Sequence, residues 1–346
     1  MIGFYAHHHG TGHLTRCREI AAAIDDDTTI LSSSPGADLV LPMDAPAPGV
    51  TGAALDAHGT FHWAPAHHAG LAERMAQIAA WVAEHRPRAF HVDVSVEVAV
   101  LVRALGVPVT VQAMPGVRDD APHALGYRMA DAIIAAWPDW VELPEHLAPV
   151  AGRVHAVGGI SRFVDRAPAL AARTGREAHS DAPRQPGHGG TAVDTGNPQH
   201  GERPGVVIVH GGGGTDQPAT YWDAVAESLA VPCTVIGPGA WVNDPFALLS
   251  AAEVVVTAAG QNSIADLAVL GARAVVVPQD RPFGEQAATA RVLREAGLAV
   301  VPESVPAVEE WAGLIARARQ LEPRWEQWGS TGAAQRAARI IEEVGA

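Results

Sequence analysis

Thr257-Ala-Ala-Gly260-Gln-Asn-Ser263-Ile-Ala-Asp266-Leu-Ala-Val-Leu-Gly271-Ala-Arg-Ala-Val-Val-Val-Pro278 reads as a strand end, a turn, a helix and a second strand stopped by proline, the unit from which parallel sheets are built. The run Glu253-Val-Val-Val-Thr257 that feeds it is short and β-branched, while Ile264, Leu267, Ala268 and Gly271 recur at helical spacing. Gly260 sits where the backbone turns sharply and stays uncovered by a side chain. The free amides of the helix start, with Gln261, Asn262 and Ser263 beside them, suit an anion such as a diphosphate. Asp266, a turn further on, can accept hydrogen bonds from ribose hydroxyls. Each residue also has a plain reading: Asn262 or Ser263 caps the helix, and Asp266 is a solvated charge.

At 346 residues the chain exceeds what one hydrophobic core usually serves, so two domains are expected. Short apolar runs alternate with amphipathic stretches throughout, which predicts α/β architecture with two Rossmann-like, doubly wound parallel sheets. Strands are expected at 2–6, 29–31, 89–92, 107–112 and 132–135, then at 206–209, 233–236, 254–257, 274–277 and 299–301. Residues 166–204 are rich in Gly, Pro, His and Ser and almost lack large apolar side chains, so they read as a flexible linker between domains 1–165 and 205–346. Its His179, His188 and His200 have no fixed ligand spacing and read as solvated. The last helix can cross back to the first domain.

The chain has 24 basic and 38 acidic residues, a net charge of −14, which repels nucleic acid and anionic lipid surfaces. Two distant cysteines, Cys17 and Cys233, read as buried thiols of a reducing compartment, and no run is long enough to span a bilayer; a cytoplasmic location is expected. Trp63, Trp81, Trp137 and Trp140 give material for a peripheral membrane contact, although tryptophans so spaced serve a core as readily.

Chemistry gathers where the first strand ends, in His7-His-His-Gly10-Thr11-Gly12-His13-Leu-Thr-Arg16. Open α/β sheets place ligands at this edge, but Thr15 occupies the third glycine position of a dinucleotide fingerprint, which weakens a NAD reading. A neutral imidazole near its ordinary pKa takes a hydroxyl proton at neutral pH, which makes His13 the candidate general base; a helix-start histidine bonded only to backbone is the alternative. Asp93, following the strand at 89–92, can orient His13 or hold an acceptor hydroxyl, or it can cap the next helix. Arg118 and Asp119 follow a Pro115-Gly116 turn on the same edge. In the second half, Gly211, Gly212 and Gly213 of a four-glycine run after the strand at 206–209 leave amides approachable by an anion. Asp25-Asp26-Asp27 reads as a solvated turn rather than a metal site.

The block 246–301 resembles the donor-nucleotide half of two-domain glycosyltransferases with the GT-B fold. Glycosyltransferase family 28, which includes an N-acetylglucosaminyltransferase acting on a lipid-linked peptidoglycan precursor, is the group it is most similar to. The resemblance implies that Gly260 takes the diphosphate, that Asp266 takes the ribose, and that a Gln pair holding the donor sugar falls at Glu285-Gln286, where only the second position matches. Gly10-Thr-Gly-His13 resembles the family's turn that carries a histidine to the acceptor. The resemblance implies a nucleotide-sugar donor with UDP as the nucleotide, a hydroxyl acceptor, inversion at the anomeric carbon, and neither cofactor nor catalytic metal. The longer Gly12-His13-Leu-Thr-Arg16-Cys17 also resembles UDP-sugar hydrolases, in which the same histidine activates water. A non-catalytic nucleotide-sugar-binding protein is a third reading.

Overall fold

The computed structural model describes residues 1–44, 55–166, 205–210, 215–237 and 239–346. The glycines at 211–213, nearly all of the expected linker and its three histidines lie outside the described residues.

The first sheet is formed by β1 (Ile2–Ala6), β2 (Thr28–Ser32), β3 (Leu39–Val40), β4 (Ala89–Asp93), β5 (Val109–Ala113), β6 (Ala132–Ala135) and β7 (Val154–Ala156). They lie in the order β3-β2-β1-β4-β5-β6-β7, with every pairing parallel. The second sheet comprises β8 (Val206–Val209), β9 (Cys233–Ile236), β10 (Val254–Thr257) and β11 (Ala274–Val276), in the parallel order β11-β10-β8-β9. The strand order reverses between β1 and β4 in one sheet and between β8 and β10 in the other. At such switch points the loops diverge to opposite faces and leave a crevice beyond the strand ends.

The helices are α1 (Gly12–Ala21), α2 (Ala69–His85), α3 (Val96–Ala104), α4 (Ala121–Met129), α5 (Ala219–Ser228), α6 (Phe246–Ala251), α7 (Gln261–Leu270), α8 (Glu285–Glu295), α9 (Trp311–Arg319) and α10 (Ala333–Val344). They cover both faces of each sheet. One face of the first sheet packs Phe90, Val92 and Val111 against Ile78, Val98 and Val102 of α2 and α3. The other packs Ile2, Phe4 and Ile134 against Leu14, Cys17 and Ile20 of α1 and against Ala333, Ala337, Ala338 and Ile341 of α10. In the second sheet, α7 and α8 supply Ile264, Leu267 and Leu293 to one face, and α5 and α9 supply Trp222, Val225 and Trp311 to the other. The fold is therefore two doubly wound parallel α/β domains whose central strands are buried, with β8 and β10 reading as nearly continuous apolar runs.

Three expected features differ. Strands β3 and β7 escape the sequence pattern because two or three residues, partly exposed, carry no period. The segment at 299–301 contributes only a single parallel bridge, Val275 to Val300, since Gly297 turns the chain before it and Pro302 removes a donor after it. Cys17 is buried as expected, whereas Cys233 is only half-buried. Trp81 and Trp137 belong to the first core, while Trp140 is 42% exposed and donates its indole hydrogen to the Gln327 carbonyl. No helix among the described residues is long and apolar enough to cross a membrane.

Candidate active site

Strand β1 delivers His7 to its carboxyl end, the chain turns at Gly10 with φ +75°, and α1 begins at Gly12 with His13 in its first turn. Strand β4, beside β1, ends on Asp93 in register with Ala6. The Asp93 carboxylate is wholly buried and fully engaged. Arg16 donates to it twice, Nε to Oδ2 at 2.8 Å and Nη2 to Oδ1 at 2.7 Å, and His13 Nδ1 lies 2.9 Å from Oδ1. Asp93 does not cap α3: Ser95 does, accepting from the Val98 amide at 3.2 Å. The chain reaches that cap through Val94 at φ +64°, a costly conformation for a β-branched residue, and the strain keeps Asp93 turned toward α1.

Burial alone would raise the Asp93 carboxyl, but the adjacent Arg16 and His13 charges and hydrogen bonds outweigh it and hold the group far below the usual carboxylate range. An ionised Asp93 can only accept, so the shared proton sits on His13 Nδ1. Arg16 Nη2 also lies 3.3 Å from that nitrogen, but its 2.7 Å bond to Asp93 is the shorter, and a protonated Nδ1 cannot accept from it. His13 is thereby fixed in the tautomer whose Nε2 carries the free lone pair. His7, whose ring centroid lies 5.9 Å from that of His13, is pushed down to about 3 by burial and by its His13 and His8 neighbours, and so stays neutral.

The second domain closes on this turn. Arg16 Nη1 donates to Gln261 Oε1 at 3.0 Å, and Asn262 Nδ2 donates to the Gly12 carbonyl at 3.1 Å. Helices α1 and α7 thus bring their N-termini together, each with unpaired amides and the positive end of its dipole. No side chain caps α7. Gly260 has φ −68°, a conformation open to any residue, so its glycine is not needed for the turn. A Cβ there would meet only Ser263 Oγ at 3.9 Å, which leaves the space over the helix start clear. Thr11 at the start of α1 is exposed and makes no side-chain cap.

Further along the cleft, Arg118 is buried and donates Nη2 to Glu285 Oε2 at 2.9 Å, across the domain boundary. The Val117 amide bonds the Phe283 carbonyl at 2.9 Å, and the Arg118 guanidinium stands 4.4 Å over the Phe283 ring. Gly116, at φ +92°, lies so close to Phe283 that a Cβ would strike its carbonyl. Asp119 is exposed, and its neighbour Asp120 takes the helix cap, accepting from the His123 amide at 2.9 Å. Asp120, His62 and His123 bring one potential ligand atom each within 4.8 Å of one another. His123 Nδ1 lies 2.7 Å from Asp120 and His62 Nε2 lies 3.2 Å from it.

Residues 239–312 match the glycosyltransferase family 28 C-terminal domain. Over 295 residues the chain is 28% identical to a UDP-N-acetylglucosamine–N-acetylmuramyl-(pentapeptide) pyrophosphoryl-undecaprenol N-acetylglucosamine transferase of a Nocardioides strain, covering 73% of this chain and 70% of that one. Among solved structures, MurG of Acinetobacter baumannii aligns with TM-score 0.57 at 16% identity, over 99% of each chain. The calicheamicin glycosyltransferase CalG4 aligns with TM-score 0.60 at 15% identity, over 99% of this chain and 98% of its own. This is a glycosyltransferase with the GT-B fold, similar to family 28.

Seen as a family 28-like enzyme, its expected donor residues divide. Gly260, Gln261, Asn262 and Ser263 all stand at the cleft-facing start of α7, with Gln261 and Asn262 also bonded to α1. Asp266 points elsewhere: Ser161 Oγ donates to its Oδ1 at 2.6 Å and Arg162 Nε to its Oδ2 at 3.2 Å, so both oxygens are occupied by the chain itself. Burial pushes its carboxyl up to about 6 against those two donors. Glu285 is held by Arg118, and Gln286 is buried with its Oε1 accepting from the Ala259 and Gln279 amides at 3.2 and 2.9 Å, which ties together the loops after β10 and β11. Arg16 is the site residue whose role the sequence left undecided. Three-residue spacing from His13 on a helix start was its signal, since i and i+3 share a face.

Proposed function

We propose that this enzyme transfers a sugar from a nucleoside-diphosphate donor, with UDP as the nucleotide, to an acceptor hydroxyl, with inversion and without a catalytic metal. The observation that carries the reading is the Asp93-oriented His13 standing where the N-termini of α1 and α7 meet. His13 Nε2 takes the acceptor proton as the acceptor oxygen forms its bond to the anomeric carbon. The bond from that carbon to the diphosphate oxygen breaks on the opposite side. The departing charge is received by the amides of α7, by those of the 10–12 turn and by the two helix dipoles. The UDP assignment is supported by the similarity to a relative whose name specifies a UDP-sugar.

Hydrolysis with the same histidine is the second reading, and the hollow beside the site weighs against it. A cavity of about 400 Å³ borders His7, Val94 and Met114, far more space than an attacking water needs. A protein that only binds nucleotide sugars would have no use for a base held in one tautomer.

The test is to incubate the full chain with a panel of UDP-sugars and follow UDP release with and without hydroxyl acceptors, in buffer and in chelator. Release that depends on an acceptor, persists in chelator and gives a product of inverted anomeric configuration is expected. Equal release without acceptor establishes hydrolysis, and release abolished by chelator removes the metal-free mechanism and directs attention to His62, Asp120 and His123.

A further inference from the structure

The cavity of about 400 Å³ lies within the first domain, between the sheet and helices α2 to α4, and among the described residues the second domain contributes only Phe283 to its wall. It is contiguous with the catalytic turn. Val92 and Val94 flank Asp93, and the Met114 sulfur Sδ accepts from Arg16 Nη2 at 3.4 Å. Its volume falls in the range of pockets that enclose a small organic molecule. Most of the wall is apolar, with Trp63, Leu71, Met75, Val96, Val111 and Tyr127 prominent.

The charges on this wall are already paired. Among the described residues its cations are Arg74 and Arg118. Arg74 is saturated by Asp44, by Tyr5 Oη at 3.1 Å, by Ser33 Oγ at 2.6 Å and by the Pro42 carbonyl at 3.2 Å. Arg118 gives Nη2 to Glu285. Glu97 also lines the cavity, and it accepts from the His62 and Trp63 amides at 2.8 and 3.0 Å. Burial keeps His7, His8 and His123 below their ordinary pKa, so these three imidazoles add no positive charge at neutral pH. A phosphate entering here would find carboxylates and no free cation.

Three buried polar atoms on the wall have no hydrogen-bond partner: His8 Nδ1, which faces Asp44 Oδ1 at 3.9 Å, Gln112 Oε1 and Arg118 Nε. Gln112 and Arg118 are each only 4% exposed. Unmatched buried groups of this kind are rare, and a ligand that supplies the missing partners explains them.

We propose that this cavity is the seat of a compact, uncharged, largely apolar ring alcohol, which offers one hydrogen-bond donor to Gln112 Oε1 and one acceptor to Arg118 Nε. The proposal rests on the glycosyl-transfer reading for what happens next: the alcohol's hydroxyl is the acceptor and faces His13. It sets this chain apart from an enzyme that works on a pyrophosphate-linked lipid, whose charge the wall cannot match. Phe283 and the Arg118–Glu285 bridge make the donor domain part of the enclosure, so acceptor and donor sites form together.

Methyl-labelled methionine reads this site directly, because Met75 and Met114 line the cavity and Met1, Met43 and Met129 do not. The full chain is titrated at about pH 6, where phenols stay un-ionised, with naphthol, umbelliferone and estradiol, and separately with farnesyl monophosphate. Saturable shifts confined to Met75 and Met114 are expected with at least one of the ring alcohols and not with the phosphate. Filling the cavity with Ala99→Phe should weaken that binding about tenfold or more while the thermal stabilisation by UDP persists. Should that variant not fold, Gln112→Leu gives the same reading, with a loss of about threefold or more for a ring alcohol that donates to Oε1. No response to any of the alcohols, an unchanged affinity in the folded variants, or preference for farnesyl monophosphate overturns the proposal. If UDP fails to stabilise the wild-type chain while the two methionines still respond, the glycosyl-transfer reading falls and the cavity assignment stands.

Discussion

The two glycine turns that meet across the cleft are built in opposite ways. The turn of the first domain is locked by side chains: His13, Arg16 and Asp93 form one buried, fully bonded group, with strain at Val94 behind it. The turn of the second domain offers mainly backbone, with no side-chain cap on α7 and open space over Gly260. Its acid, Asp266, faces inward to Ser161 and Arg162. Proton transfer demands an imidazole of one tautomer in one place, and a buried network supplies that before substrate arrives. A diphosphate demands only several amides, which a helix end provides without side chains.

The contrast can be broken at either end. Replacing His13 with Ala should lower turnover by about 10² to 10⁴-fold while leaving UDP binding in place, measured by UDP release and by thermal shift. Unchanged turnover would remove His13 as the base. Asp93→Asn should both cut kcat and destabilise the fold by about 3–5 kcal/mol in denaturant titration, because Arg16 is left buried without its counter-charge. That stability arises from a depressed carboxyl, so in the wild type it is present above the unfolded pKa and fades as acid protonates Asp93.

Asp266 predicts the reverse sign. Its folded pKa of about 6 lies above the 3.8 of an unfolded aspartate, so the native state binds the proton more tightly and stability from this group falls as pH rises through that window. Asp266→Asn should therefore match the wild type near pH 4 and exceed it by about 2–3 kcal/mol above about pH 6.5, read by thermal melts across pH. An advantage that appears only in acid would refute the assignment. The smallest effect is expected at Ser263. Its replacement by Ala should weaken UDP by no more than about tenfold, the worth of one hydrogen bond beside several backbone amides, and a larger loss by calorimetry would mean that the second turn is not a backbone site after all.

The fold was legible because its strands are continuous β-branched runs, such as Val206–Val209 and Val254–Thr257, separated by helices with clear apolar faces. The position of His13 was legible for a similar reason, since a strand, a glycine turn and a helix leave little freedom for the residue at the helix start. What paired with what was not. Asp93 looked equally suited to capping α3, and only the choice of Ser95 for that task, forced by the backbone at Val94, turned the carboxylate toward His13 and Arg16. Asp266 has the right spacing from Gly260 for a ribose contact, but spacing along one helix carries no information about Ser161 and Arg162, which lie about a hundred residues earlier. The cavity drew on Gln112, Trp63 and Phe283, three residues from distant segments that no local motif connects.

Helix α10 gives the molecule an unusual order of assembly. Its Ala333, Ala337, Ala338 and Ile341 complete a layer that begins at Ile2 and that α1 covers only in part, so one side of the first sheet stays partly bare until the chain has been made as far as Ile341. Domains ordinarily settle as they emerge during synthesis. Here α1, which carries His13, shares its support with that late arrival, and the cleft is not fully braced until α10 has docked.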